Sequence, residues 1–310
     1  MVVKERNNNG LRSLKAYHGI GLAILFVLMM LFVATPIQMR FGMYGVAITE
    51  LIVLAMGIIP AIILKADLKE VFPVKVPALR QLFGTLIMWG ATYLVITLIT
   101  LIIGYFFPES LNQVSTGLNE VITSIPMLIS FFIVAIMPAI CEEVLTRGFI
   151  QATFHSFKSK WSIIILVGII FGIFHLDFIR FFPTAILGGT MAYIMFETKN
   201  LVLPMFLHFI NNGLSTLASF LLPAQDMANS VSGMEIPMAS IGSWFIVASA
   251  APFAFLLGSI LIHKKGERNH EEAAGENNWS KKIYVAATMT VILFIIGIVI
   301  MKKFVGELVL

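Results

Sequence analysis

The chain has 310 residues, of which 58% are hydrophobic and only 12% charged, and its mean hydropathy is +0.93. A soluble domain carries about 25% charged residues, so a chain of this length and polarity cannot cover a water-exposed surface. Soluble enzyme, nucleic-acid binder and disordered protein are excluded as whole-chain readings. The net charge of +4 is no nucleic-acid footprint, because the basic residues flank apolar runs. A single cysteine, Cys141, excludes an internal disulfide and a thiolate metal cluster.

A bilayer core takes about 20 apolar residues per helix. The expected fold class is therefore all-α, a polytopic transmembrane helical bundle of eight or nine spans. In chain order the candidates are 19–37, 43–64, 82–106, 121–157, 161–176, 178–197, 200–223, 242–262 and 283–301. The first exceeds a signal-peptide core and lacks a small-x-small cleavage site, so it reads as an uncleaved helix. The fourth is long and carries charges. The fifth and sixth are short, with tilts or breaks expected around Asp177 and Pro183. Segments 107–120 and 224–241 read as loops without Lys or Arg. Segment 65–81 mixes charges with Val, Phe, Pro and Leu and suits the membrane surface. Residues 264–282 form the only long polar stretch, a solvated loop.

Basic residues orient such a bundle. Lys4, Arg6, Arg12 and Lys15 precede the first span and predict a cytoplasmic N-terminus. With nine spans alternating from there, the 21 Lys and Arg fall on the cytoplasmic side except Arg40, Arg180, Lys302, Lys303 and the mid-span Arg147. Lys302 and Lys303 sit on the wrong side of the last span for this rule.

Ionisable groups inside a bilayer are costly, and mark function by default. Glu142, Glu143 and Arg147 lie in the fourth span. Glu143 and Arg147 are i,i+4 and share a face, so they can pair. Glu142 is turned about 100° from Glu143 and is left to face something else. An interhelical salt-bridge cluster is the structural alternative. Phe171 and His175 are i,i+4 in the fifth span, and His208 and Asn212 are i,i+4 in the seventh, with Asn211 a competitor. Taken alone, each histidine is more often a packing or hydrogen-bonding residue. Cys141 reads as inert filling, His155 as interfacial, and His18, His263 and His270 as residues in or near cytoplasmic loops. Asp177 and Glu197 sit near span ends, where charge is cheap.

Depth unites the set. At about 1.5 Å per residue, Glu143 lies ~22 Å from Lys158, His175 lies ~22 Å from Lys160, and His208 and Asn212 lie ~14 and ~20 Å from Lys199. Three helices thus deliver Glu, His and His/Asn to a similar level. A carboxylate and a neutral imidazole can hold and deprotonate a water. A second imidazole and a carboxamide can stabilise an oxyanion. This chemistry suits peptide hydrolysis within the membrane. HExxH and GxSxG are missing, although Glu142, Glu143, His175 and His208 could still ligate Zn²⁺. A proton-coupled transporter also uses such residues but usually shows two related halves, and none is found.

Read in order, Glu142-Glu143-Val144-Leu145-Thr146-Arg147, then Phe171-Gly172-Ile173-Phe174-His175, then His208-Phe209-Ile210-Asn211-Asn212 resemble the EExxxR, FxxxH and HxxxN motifs of the CPBP family. That family comprises CAAX proteases and bacteriocin-processing or bacteriocin-immunity proteins, also called Abi. The resemblance covers roughly 120–225. It divides the chain into N-terminal membrane helices (1–110), a CPBP-like catalytic core (120–225), and C-terminal helices with a cytoplasmic loop (240–310). It implies an intramembrane endopeptidase similar to type II CAAX prenyl endopeptidases. Glu142 and His175 would activate water, and His208 and Asn212 would form the oxyanion site. Glu143 and Arg147 complete the implied catalytic set. No cofactor is implied as required, though a divalent metal such as Zn is left open. The implied partners are a membrane-associated protein or peptide substrate and the lipid bilayer, with no nucleic acid. The family's breadth suggests a bacterial plasma membrane. Some members act as scaffolds or immunity factors, which is the alternative function.

Overall fold

The computed structural model describes residues 11, 13–222, 236–263 and 279–304. Among the described residues the regular structure is helical throughout, with no strand. The helices are α1 (Ala16–Phe41), α2 (Met43–Ile63), α3 (Leu79–Phe106), α4 (Pro108–Thr123), α5 (Met127–Thr153), α6 (Lys160–Ile173), α7 (Phe178–Thr198), α8 (Val202–Leu221), α9 (Met238–Ile262) and α10 (Ser280–Phe304). All but α4 lie over the expected spans.

Seven of them (α1, α2, α3, α5, α7, α9 and α10) are long and apolar enough to cross a membrane. Helix α6 is short at 14 residues. Helix α8 has 20 residues, but His208, Asn211 and Asn212 dilute its apolar character. The chain is thus an all-α integral membrane bundle. Its apolar exterior fits that reading, since Leu128 and Phe32 are 82% and 72% exposed and would face lipid.

Several expectations need correction. Segment 107–120 is no loop. Pro108 begins helix α4, and Leu111, Val114, Leu118 and Val121 recur at three- and four-residue spacing along it. The fourth span does not start at 121, because Pro126 separates α4 from α5 and biases the residue before it away from helix. Pro183 neither breaks nor ends α7, which runs through it. The break expected around Asp177 is present beside it, at Leu176, whose φ of 51° turns the chain sharply between α6 and α7. The polar stretch 264–282 lies outside the described residues up to 278, and its last residues already belong to the final helix. Most of segment 224–241 also lies outside, although Met238 begins α9. Segment 65–81 holds a one-turn helix, Leu68–Val71. Beyond it the irregular stretch is tied to the α7–α8 turn. Lys75 and Asn200 exchange two hydrogen bonds of 3.1 and 3.0 Å, and the Leu201 amide donates to the Pro73 carbonyl at 2.8 Å.

Small residues set how the site helices approach each other, as expected where lipid removes the hydrophobic drive for association. A Cβ on Gly168 would fall 2.8 Å from the Ala185 carbonyl oxygen, and one on Gly172 would fall 2.8 Å from that of Phe181. Helices α6 and α7 therefore run backbone against backbone. Gly189 on the same face has room, its nearest neighbour lying 3.9 Å away. We expect Gly172→Ala to destabilise the detergent-solubilised protein by about 1–3 kcal/mol through overpacking. Gly189→Ala should leave the thermal midpoint almost unchanged, and one unfolding experiment compares the two.

The largest core cluster joins Leu22 and Phe26 of α1, Val53 of α2, Leu145 and Phe149 of α5, Val167 and Phe174 of α6, and Ala192 of α7. It packs these helices into one body around the polar residues of α5.

Candidate active site

Helix α5 carries the paired glutamates and is irregular on both sides of them. Its π-helical turn at Phe132–Ile136 precedes Pro138. A proline removes one helical donor and crowds the carbonyl four residues back, here Val134. That carbonyl is taken up from another helix, by the Asn212 side-chain amide of α8 at 3.0 Å. A second π-helical stretch, Val144–Ile150, begins directly after Glu143. Such wide turns cluster at functional sites. The Thr146 hydroxyl donates to the Glu142 carbonyl at 2.6 Å within it.

Glu143 and Arg147 are fully buried and paired, with the guanidinium 2.7 Å from Glu143 Oε1. The same carboxylate oxygen accepts from His208 Nδ1 at 2.9 Å. Arg147 also donates to Thr146 Oγ1 at 2.9 Å and to the Gly188 carbonyl of α7 at 2.9 Å. Its guanidinium lies 4.3 Å over the Phe171 ring. Phe171 is the hub of this cluster. His175 and His208 both meet its ring edge-on, at centroid distances of 5.1 and 5.8 Å. Three helices besides α5 are thereby joined at one charged pair.

Proton positions follow from the partners. Glu143 accepts only, so His208 carries its proton on Nδ1 and presents Nε2 as an acceptor, which receives the Asn212 amide at 3.2 Å. Asn212 gives its other N–H to Val134, and its oxygen accepts from Asn211 at 3.2 Å. Asn211 in turn accepts from Trp89 Nε1 of α3 at 3.4 Å. The donors of His208 and Asn212 are therefore committed within the protein. His175 faces the Phe171 carbonyl through Nδ1 at 2.9 Å. A carbonyl accepts only, so Nδ1 holds the proton and Nε2 offers a lone pair.

Glu142 differs from its neighbour. It is partly buried, and its carboxylate has no hydrogen-bond or ion-pair partner among the described residues. It interacts electrostatically with His208, Arg147 and Arg180. The sequence-predicted residues thus divide in two. Glu143, Arg147, His208 and Asn212 form one hydrogen-bonded network, while Glu142 and His175 stand beside it with free acceptor atoms.

Residues 124–214 match the family of type II CAAX prenyl endopeptidase Rce1-like proteins. The matched segment runs from the start of α5 into α8 and contains every residue of the network except Trp89. That part of the chain is similar to the core of a CAAX-protease family. No curated protein and no solved structure matches the chain.

Among the described residues no three His, Cys, Asp or Glu side chains converge to hold a metal ion. Glu143 is held by Arg147 and His208, and His208 Nε2 by Asn212.

Two site residues escaped sequence reasoning. Glu50 of α2 is 7% exposed, has an unpartnered Oε2, and interacts electrostatically with Glu142 and Cys141. Its signal was present, since a carboxylate in the middle of an apolar span is costly for the same reason as Glu142. Arg180 of α7 interacts electrostatically with Glu142 and His175. Charge counting along the chain places it only on the outer side, at the start of a span. Elsewhere, Glu197, read as a span-end charge, and His263, read as near a cytoplasmic loop, are joined to each other. Glu197 accepts from Lys160 at 2.7 Å and from His263 at 2.8 Å, which ties α6, α7 and α9 together.

Proposed function

We propose that this CPBP-like core hydrolyses peptide bonds of membrane-associated proteins through a water activated by Glu142 and His175. The observation that carries the reading is the contrast between the two adjacent glutamates. Glu143 is tied through Oε1 to Arg147 and His208, whereas Glu142 and His175 Nε2 have no hydrogen-bond partner among the described residues, and both groups interact electrostatically with His208, Arg147 and Arg180.

Two acceptors can hold both hydrogens of one water, which turns its lone pair toward a substrate carbonyl. The Glu142 carboxylate takes one proton as the water oxygen bonds to the carbonyl carbon. The carbonyl π pair moves onto oxygen and gives a tetrahedral oxyanion. As the oxyanion collapses, the C–N bond breaks, and its electron pair takes the proton back from Glu142. The products are a carboxylic acid and an amine, and Glu142 returns to its starting state. Within this scheme Arg147, Glu143 and Phe171 position His208 and His175. Prenylated CAAX proteins are the substrates this family suggests.

Termini-enriched mass spectrometry on native membranes tests the proposal, comparing wild type with Glu142→Gln and His175→Asn at equal protein levels. We expect new peptide termini in the wild-type membranes that both variants lose. Identical terminus profiles in all three would overturn the catalytic reading and favour a scaffolding role.

A further inference from the structure

We infer that a bound water bridges Arg147 and Gln151 in a cavity that opens near the α7–α8 turn, so that solvent reaches the buried charge pair from the end of the bundle opposite His175. The inference stands on two buried side chains and does not depend on the hydrolytic reading. Arg147 uses Nη1 for Glu143 and Thr146, and Nη2 for the Gly188 carbonyl. Its Nε is buried and has no hydrogen-bond partner among the described residues. Gln151 donates its amide to the Ala192 carbonyl of α7 at 3.0 Å, and its Oε1 is likewise buried and without a partner among the described residues. A buried polar atom left unpaired is rare and costly. Here a donor and an acceptor are left over four residues apart on the same helix.

Both residues line one cavity of about 60 Å³. Its wall also includes the exposed Glu70 and Lys199, which mark the mouth, whereas Arg147 is fully buried and Gln151 is 7% exposed. Ile163, near the start of α6, and Met195, near the end of α7, complete the sides. His175 follows the other end of α6. The cavity therefore approaches Arg147 from the far end of the bundle. A water needs about 10–15 Å³ of such space, so there is room for roughly four.

The two unused atoms also define the occupant. It must accept from Arg147 Nε and donate to Gln151 Oε1. A bare anion accepts but cannot donate, and would meet Oε1 at the inner end and Glu70 at the mouth. A metal cation cannot accept, and would meet Arg147 and Lys199. A lipid chain would leave both polar atoms unpaired, at the cost of burying them dry. Water accepts and donates at once, and its remaining bonds can go to further waters in the cavity. His155 at the wall does not compete for this role through Nε2, which faces the Leu14 carbonyl at 3.1 Å.

The test uses the full-length protein in liposomes. Short X-ray pulses split water into hydroxyl radicals where it is bound, and mass spectrometry reads the oxidation of nearby methionines. Met195 lines the cavity and is 6% exposed. Met29 of α1 is 7% exposed but packs in an apolar cluster away from the cavity wall, and serves as the internal control. Equal exposure alone predicts equal oxidation. With water held at Arg147 and Gln151, we expect Met195 to be oxidised several-fold faster than Met29. Ala152→Leu fills the cavity and Gln151→Leu removes the acceptor. Each should bring Met195 down to the rate of Met29. A variant that misfolds reveals itself by faster oxidation of Met29, and the other variant then decides.

Three results overturn the inference. Equal rates at Met195 and Met29 in the wild type make the cavity dry. Fast oxidation of Met195 that persists in the folded variants assigns it to transient opening of the helices and not to a bound water. Protection of Met195 by added inorganic phosphate makes the cavity an anion site. Glu142→Gln should give the wild-type oxidation pattern, because the cavity does its work without the catalytic base. The outcome is thus read separately from that of the cleavage experiment.

Discussion

Glu142→Gln should lower the cleavage rate by about 100- to 10,000-fold, the range contributed by a positioned general base, and should leave the fold intact. The amide is nearly isosteric with the carboxylate but cannot accept a proton from water at neutral pH. Structural damage is not expected, because the Glu142 side chain holds nothing in place among the described residues. The informative control is the residue next to it. Glu143→Gln keeps the shape but weakens hydrogen bonds of 2.7 Å to Arg147 and 2.9 Å to His208. It should lose thermal stability as well as rate. Measuring kcat and the unfolding midpoint for both variants therefore separates base from brace. If Glu142→Gln retains wild-type kcat, the assignment of the base is wrong.

Arg147→Ala should be the most damaging single change in the core, at about 3–5 kcal/mol, because it leaves a buried carboxylate without its counter-ion. Arg147 and Glu143 have no exposed side-chain surface. Arg147 also bridges α5 to the Gly188 carbonyl and packs on Phe171, so its loss unties α6 and α7 as well. Removing both charges at once has a different outcome. Glu143→Leu with Arg147→Met replaces the pair by apolar groups of similar volume, and such replacements are often neutral or stabilising. We expect the double variant to regain most of the midpoint lost by Arg147→Ala while remaining slow, since His208 loses its acceptor. Midpoints of the single and double variants by thermal unfolding in detergent check this. A double variant as unstable as Arg147→Ala would show that hydrogen bonds to Gly188 and Thr146, and not the charge pair, hold the core.

Much of the fold was legible along the chain because lipid imposes one rule on each segment. A span must be helical and apolar, and hydropathy alone locates α1, α2, α3, α5, α7, α9 and α10. Helix α4 escaped because its burial is slight. Of its apolar stripe, Leu118 and Val121 remain 40% and 48% exposed, so no strong hydropathy peak marks it. The π-helical turns of α5 were equally hidden. They depend on which groups of other helices take up the freed carbonyls, as Asn212 does for Val134.

For the site, sequence determined the candidates and the local pairings. Glu142, Glu143, Arg147, His175, His208 and Asn212 stand out because ionisable and polar groups are costly in lipid. Helical spacing alone put Arg147 in reach of Glu143 and turned Glu142 away. What sequence could not supply was the sharing of donors and acceptors between helices. Spacing allowed His208 and Asn212 to be free donors, but contact with Glu143 and Val134 commits them. Arg180 read as an outer-side cation at the start of a span, yet the turn at Leu176 and the close approach at Gly172 set the start of α7 against the end of α6, where it interacts electrostatically with His175. Helical periodicity fixes neighbours three and four residues apart, whereas hydrogen bonds between helices depend on rotation, depth and packing. Those quantities exist only once the bundle has assembled.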